Sequence, residues 1–238
     1  MLEKDINTYL ERSKEFWNVP KLEVAMYRRI LTNFSKPFDE LSIEEEYRNW
    51  LNVTENNVKT ILEDIKFQSN WNVLEIGCGI GRLIKPFREI FDRVDGVDIS
   101  ETMVNFSQEY LKGTENKGNV YLNDGKSFKM LNDDFYNFVF SFITIQHIRS
   151  CKIVKEYFNE AYRVLKKDGI FKFQVIKTNS DYGKFNEEPN PAINYNLLGN
   201  SYNKEELNKI LSEAKFSCIN IVDNVNNDSS SLWATCYK

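Results

Sequence analysis

The 238-residue chain holds a single histidine, His147, which excludes a multi-histidine metal site within one chain. Its four cysteines, Cys78, Cys151, Cys218 and Cys236, are too far apart for a CxxC metal or redox pair, so no metal site is expected. They read instead as small hydrophobes in a reducing, cytoplasmic setting. No stretch approaches the roughly 18–20 apolar residues of a membrane span, and Met1-Leu2-Glu3-Lys4-Asp5 lacks the apolar core of a secretion signal. Neither sign of charge is in large excess. The 31 basic and 35 acidic side chains leave a net −4, so no global field attracts nucleic-acid phosphates, and a nucleic-acid partner is not expected. What is plentiful is core material. Apolar residues make up 42% of the chain and aromatics 14%, which sets it apart from disordered and collagen-like classes.

Two patterns divide the chain. Residues 1–70 read as helical: Ile6, Tyr9, Leu10, Phe16 and Trp17 recur at helical spacing, as do Leu22, Ala25, Met26 and Ile30, and a third run over Val53 to Phe67 aligns Val58, Ile61, Leu62 and Ile65. Pro20 and Pro37 separate the runs. From Trp71 onward, short β-branched or aromatic runs alternate with helical ones. The strands are expected at Trp71–Ile76, Arg93–Asp98, Asn119–Asn123, Phe135–Phe142, Gly169–Lys177, Phe216–Val222 and Leu232–Tyr237. Helices are expected near Gly81–Phe91, Ser100–Leu111, Cys151–Lys166 and Asn203–Ala214, with Ser100 and Asn203 as N-caps and Glu206 completing a capping box. Such alternation implies an α/β fold with a parallel sheet covered on both faces. The short polar link Asp223–Ser231 cannot hold a crossover helix, so the last two strands should pair antiparallel. The domains are then a helical N-terminal cap, 1–70, and an α/β unit, 71–238. The long irregular stretch Asn179–Asn200 reads as either a functional lid or a surface loop.

Three acids end three successive strands. Val73-Leu-Glu-Ile-Gly-Cys-Gly-Ile-Gly-Arg82 is an apolar strand carrying Glu75, followed by Gly77, Gly79 and Gly81 and then a helix. Alternate glycines allow a tight turn and close approach of a ligand to the backbone. An acid beside them would repel a pyrophosphate but suits a cationic ligand. Asp98 closes the second strand, where a carboxylate accepts ribose hydroxyls or caps the helix that follows. Asp124 follows the third, where it meets an adenine amino group or makes a turn before Gly125.

These blocks, with Phe135–Phe142 and Ala161–Phe171, resemble the class I S-adenosylmethionine-dependent methyltransferases over about residues 70–238. The resemblance implies a Rossmann-like doubly wound seven-stranded sheet of order 3-2-1-4-5-7-6, its last strand antiparallel. The cofactor would be S-adenosyl-L-methionine, lying across the carboxyl ends of strands 1–4. Gly77, Cys78 and Gly79 would approach its methionine part, with Glu75 beneath. Asp98 would take the ribose, and Ile99 and Met103 the adenine face. Asp124 would meet the adenine edge, with Asn123 and Gly125 beside it. Ser141 and Phe142 would lie near the methyl. The implied activity is methyl transfer to O or N of a small-molecule acceptor. Alternatives are a protein or RNA acceptor, or a non-catalytic partner subunit. His147, just past strand four, is either a general base or an element ordering its loop.

Overall fold

The computed structural model describes residues 10–11, 14–15, 18, 43–114, 118–178, 183–184, 200–225 and 228–238. The helical runs expected before residue 43 and most of the 179–200 stretch lie outside the described residues. In chain order the elements are α1 (Ile43–Leu62), β1 (Asn72–Ile76), α2 (Ile84–Ile90), β2 (Arg93–Asp98), α3 (Glu101–Tyr110), β3 (Val120–Leu122), β4 (Tyr136–Ser141), a 3₁₀ turn (Ile145–His147), α4 (Cys151–Val164), β5 (Leu165–Lys177), β6 (Gly183–Lys184), β7 (Asn200–Tyr202), α5 (Lys204–Glu213), β8 (Ser217–Val225) and β9 (Asp228–Tyr237).

The long strands run β3-β2-β1-β4-β5, all parallel, and continue through β9 to β8, both pairs antiparallel. Counting those seven strands alone, the order is 3-2-1-4-5-7-6, as the sequence implies. Two short strands raise the total to nine. Ser201 of β7 pairs with Ile176, which faces Ser231 of β9 on its other side. The short pair therefore extends the β4 side of β5 beyond the end of β4.

Alternation within each strand sorts the core onto two faces. Val73, Val94, Phe138, Phe140 and Ile170 pack beneath α2, α3 and the end of α1, against Ile61, Phe87 and Val104. Leu74, Ile76, Val139, Phe171 and Phe173 pack beneath α4 and α5, against Phe158, Ala161 and Leu211. Helix starts follow the caps: the hydroxyl of Ser100 accepts from Met103 N–H, that of Ser150 accepts from Ile153 N–H, and Asn203 and Glu206 form the full capping box.

Several boundaries differ from expectation. Helix α4 stops at Val164 and β5 begins at Leu165, because Leu165 turns extended and pairs with Tyr136. The sheet ladder closes the last hairpin further than its polar link suggests: β8 and β9 pair out to Val225 and Asp228, which leaves a shorter turn than Asp223–Ser231. Helix α2 starts at Ile84 rather than Gly81, since residues up to Leu83 still belong to the turn. Helix α1 is longer than the run from Val53 and ends at Leu62. It is fastened there by Lys172, whose Nζ donates to the carbonyls of Thr60 (3.0 Å) and Glu63 (2.8 Å) at the helix C-terminus.

Candidate active site

The first βα turn builds the floor of the site. Gly77 N–H and Cys78 N–H both donate to Val97 O, tying the loop to the end of β2. Gly77, at φ +74°, is packed so closely that a Cβ there would lie 2.1 Å from Thr144 Cγ2. Gly79, at φ +53°, has nothing within 4 Å of where its Cβ would be. The first glycine is demanded by packing against the β4 loop. The second keeps space open beside the backbone.

That space is a cavity of about 160 Å³ at the carboxyl ends of β1, β2 and β4, the position where an open α/β sheet reverses its winding. Of the residues singled out from sequence, Glu75, Gly77, Cys78, Gly79, Asp98, Ile99, Met103, Asn123, Gly125, Phe142 and His147 line it. Gly81, Asp124 and Ser141 do not. Gly81 faces α3, where a Cβ would meet Ser107 Oγ at 2.5 Å. Ser141 is buried and donates its hydroxyl to Ile76 O at 3.0 Å, clamping β4 to β1. Asp124 is exposed, and its carboxylate accepts from Lys126 N–H (2.8 Å), Ser127 N–H (2.7 Å) and Ser127 Oγ (3.0 Å). Partial burial raises its pKa, and those donors more than offset this, leaving it below the usual carboxylate range. It is therefore occupied as a turn residue, and the inward position belongs to Asn123, whose Oδ1 accepts from Gly125 N–H (2.7 Å) and Tyr157 OH (3.1 Å).

Two acids face inward. Glu75 is 3% exposed, and its Oε2 is buried with no hydrogen-bond partner. Burial raises its pKa well above the usual range; Arg82 opposes the shift and Asp98 adds to it. Asp98 accepts from Gly79 N–H through Oδ2 (2.8 Å) and from Ser100 N–H through Oδ1 (2.9 Å). Burial raises its pKa, against those backbone donors. It thus braces the glycine loop and the start of α3 together, and a carboxylate keeps lone pairs for further donors. An orphaned buried carboxylate beside an open glycine is what a cationic ligand with ribose hydroxyls requires. The residues present therefore fit S-adenosyl-L-methionine. Burial also pushes the Cys78 thiol up, with Asp98 and Glu75 adding to it, so Cys78 is a thiol and not a thiolate nucleophile.

The remaining wall joins the expected Phe142 and His147 to residues that the sequence does not single out. Phe142 stacks on Trp233 at 5.7 Å. Ile143 lies at φ +53°, a genuine outlier for a β-branched residue. Thr144 Oγ1 donates toward Gly77 O and Phe142 O, each at 3.2 Å, joining the loops after β1 and β4. His147 follows on the 3₁₀ turn, its pKa pushed by burial down to about 4. Arg82 lines the opposite side, 6% exposed. Leu10 closes the cavity from the N-terminal side, and Asn18 Oδ1 accepts from Ser100 Oγ at 2.7 Å. Of these, Phe142 and His147 are singled out in the sequence and Arg82 carries a signal as a charge directly after the glycine run, while Ile143 and Thr144 carry none.

Residues 74–173 match a family described as a methyltransferase domain. An uncharacterized protein of Methanocaldococcus jannaschii is 28% identical over 176 residues, covering 74% of this chain and 79% of that one. The malonyl-[acyl-carrier protein] O-methyltransferase of Buchnera aphidicola is 26% identical over 170 residues, covering 69% of this chain and 62% of its own length. Among solved structures, a geranyl diphosphate methyltransferase in complex with its substrate and sinefungin superposes with a TM-score of 0.69 at 13% identity, over 97% of this chain and 99% of that one.

Proposed function

We propose that this chain is a class I S-adenosylmethionine-dependent methyltransferase that methylates an O or N atom of a small-molecule acceptor, a reading supported by the methyltransferase-domain match over residues 74–173. The orphaned Glu75 carboxylate in a partly enclosed, largely apolar cavity carries this reading. A cavity of that size, covered by Leu10, suits a small acceptor better than a polymer surface. One of the similar structures supports it by name, a geranyl diphosphate methyltransferase in complex with geranyl diphosphate.

S-adenosylmethionine supplies an already activated methyl group when bound. The chain's part is to bind, align and exclude water. Of the residues lining the cavity, Glu75 would hold the cationic methionyl end and Asp98 the ribose hydroxyls, Ile99 and Met103 would take the adenine face, and Asn123 and Gly125 its edge. Phe142 and Ile143 would bound the acceptor side. His147 stays neutral above its pKa of about 4, so at neutral pH its imidazole is in the protonation state a general base requires. In this reading the domain boundary falls at residue 70, with 71–238 as the catalytic domain. The four cysteines form no disulfide, which supports a reducing, cytoplasmic setting, and among the described residues no helix is long and apolar enough to cross a membrane.

Calorimetric titration with S-adenosylhomocysteine, followed by product detection over a panel of small hydroxyl and amine acceptors, tests the proposal. Saturable binding with methylated product is expected. Binding without product on any small acceptor, but with product on carrier protein or RNA, would overturn the acceptor class.

A further inference from the structure

Phe142 lines the cavity and stands in the middle of a series of cationic and aromatic side chains. The Arg82 guanidinium lies over its ring at 6.0 Å, and the Trp233 ring stacks on it at 5.7 Å, with 27° between the two planes. Lys172 Nζ lies in turn over Trp233, at 5.6 Å. Both cations end on helix α1. Arg82 donates Nη1–H to Thr54 Oγ1 at 3.2 Å, and Lys172 donates to Thr60 O and Glu63 O. Thr54 and Thr60 are about 9 Å apart along the helix, so α1 holds the series at two separate points. Arg82, Lys172 and Trp233 are all buried. Two buried cations bear a desolvation cost that apolar side chains would avoid. What they contribute instead is direction, because ring faces and the carbonyls of a helix end take a cation in few arrangements. The residue after Phe142 needs such a constraint. Ile143 lines the cavity at φ +53°, which a β-branched residue keeps only where its surroundings fix the backbone. Thr144 fixes it from one side through Gly77 O, and Phe142 fixes it from the other through the stack.

We propose that Trp233 and Lys172 are positioning residues for methyl transfer: through the Phe142 ring they hold the acceptor side of the cavity in place against α1. The proposal rests on the acceptor reading above. Neither residue lines the cavity, so each acts on it at one remove. When the methyl donor is already activated, alignment is the chain's chief contribution, and a misplacement of about 1 Å costs up to about 10²-fold in rate. Loss of the stack should therefore be read in turnover, not in cofactor affinity.

The test uses the full chain, with S-adenosylhomocysteine in calorimetry and steady-state turnover on the small hydroxyl or amine acceptor that gives product in the panel above. Trp233→Leu keeps apolar volume and breaks the stack, while Trp233→Phe keeps a ring. Lys172→Met keeps the apolar stem and removes the cation, while Lys172→Arg keeps a cation. Trp233→Leu and Lys172→Met should each lower kcat at saturating acceptor about 10- to 100-fold and leave S-adenosylhomocysteine affinity within about 3-fold of the parent's. Trp233→Phe and Lys172→Arg should recover most of the turnover. The two disruptive changes combined should lose little more than Trp233→Leu alone, since both act through Phe142. A folded Trp233→Leu protein with a lowered Tm but the parent's kcat overturns the proposal, as does a loss of cofactor affinity that matches the loss of turnover. Should the leucine variant fail to fold, Trp233→Phe carries the test: its smaller ring should cost about 2- to 5-fold in kcat, and turnover equal to the parent's overturns the proposal. Absence of methylated product from the parent on every acceptor of the panel overturns the acceptor reading itself, and the positioning role with it.

Discussion

Asp98 Oδ2 accepts the Gly79 N–H at 2.8 Å, so the acid that ends β2 holds the loop that follows β1. One carboxylate thereby fixes the floor of the cavity, and in the proposed complex its remaining lone pairs would accept from ribose hydroxyls. Asp98→Ala removes both. We expect S-adenosylhomocysteine to bind ~10- to 100-fold more weakly, from ~1–3 kcal/mol of lost charged hydrogen bonding, with a lowered Tm from the freed loop. Calorimetry and a thermal melt read the two effects separately.

The glycines predict opposite behaviour at neighbouring positions. Gly77→Ala drives a Cβ into Thr144 at 2.1 Å and should lower Tm strongly. Gly79→Ala meets no atom within 4 Å and should cost only the ~1–2 kcal/mol of a left-handed non-glycine residue, while obstructing the ligand. A Gly77→Ala melt no lower than that of Gly79→Ala would contradict the packing described.

Glu75 gives a stability effect opposed to its binding effect. Its folded pKa is raised, first by burial and then by Asp98, against Arg82. The folded protein therefore holds more protons than the unfolded chain above the ordinary glutamate range. Stability is lost as pH rises from that range toward the raised pKa. Glu75→Gln should raise the Tm of the ligand-free protein at neutral pH and flatten its fall with pH, while weakening S-adenosylhomocysteine. Titrations in two buffers of different ionisation heat should show proton release on binding to the parent and less in the variant.

His147 has the reverse sign. Its pKa falls from 6.5 to about 4 through burial, so the unfolded chain binds the extra proton between those values. Stability should decline as pH drops from 6.5 to about 4, and His147→Asn should remove that slope. A proton-accepting role puts the acidic limb of the rate profile near pH 4 and predicts a ~10²–10⁴-fold loss of turnover in His147→Asn with cofactor affinity preserved. Turnover close to the parent's would leave alignment and desolvation as the mechanism.

Much of this was legible in the chain because the signals were local. Strand β2 spans the expected Arg93–Asp98, and Ser100, Asn203 and Glu206 act as the caps their spacing announces. Glu75, Gly79 and Asp98 line the cavity to which the sequence points, because acids and glycines punctuate apolar strands. Asp124 was misjudged as an inward group, since the choice between it and Asn123 depends on an Asx-type turn closed by Lys126 and Ser127. Thr144 and Ile143 carried no signal. One earns its place by reaching Gly77 O across 67 positions of sequence, the other by a backbone reversal that tertiary packing imposes. The β6–β7 pair was invisible for a similar reason: strands of two and three residues have no periodicity to read.

The central claim is that the space beside Gly79 holds the cofactor. Calorimetric titration of the parent and of Gly79→Val with S-adenosylhomocysteine tests it most directly. The account predicts one saturable site in the parent and no measurable binding in the variant, with the variant's melt showing that it remains folded. A folded Gly79→Val protein that binds S-adenosylhomocysteine like the parent would contradict it.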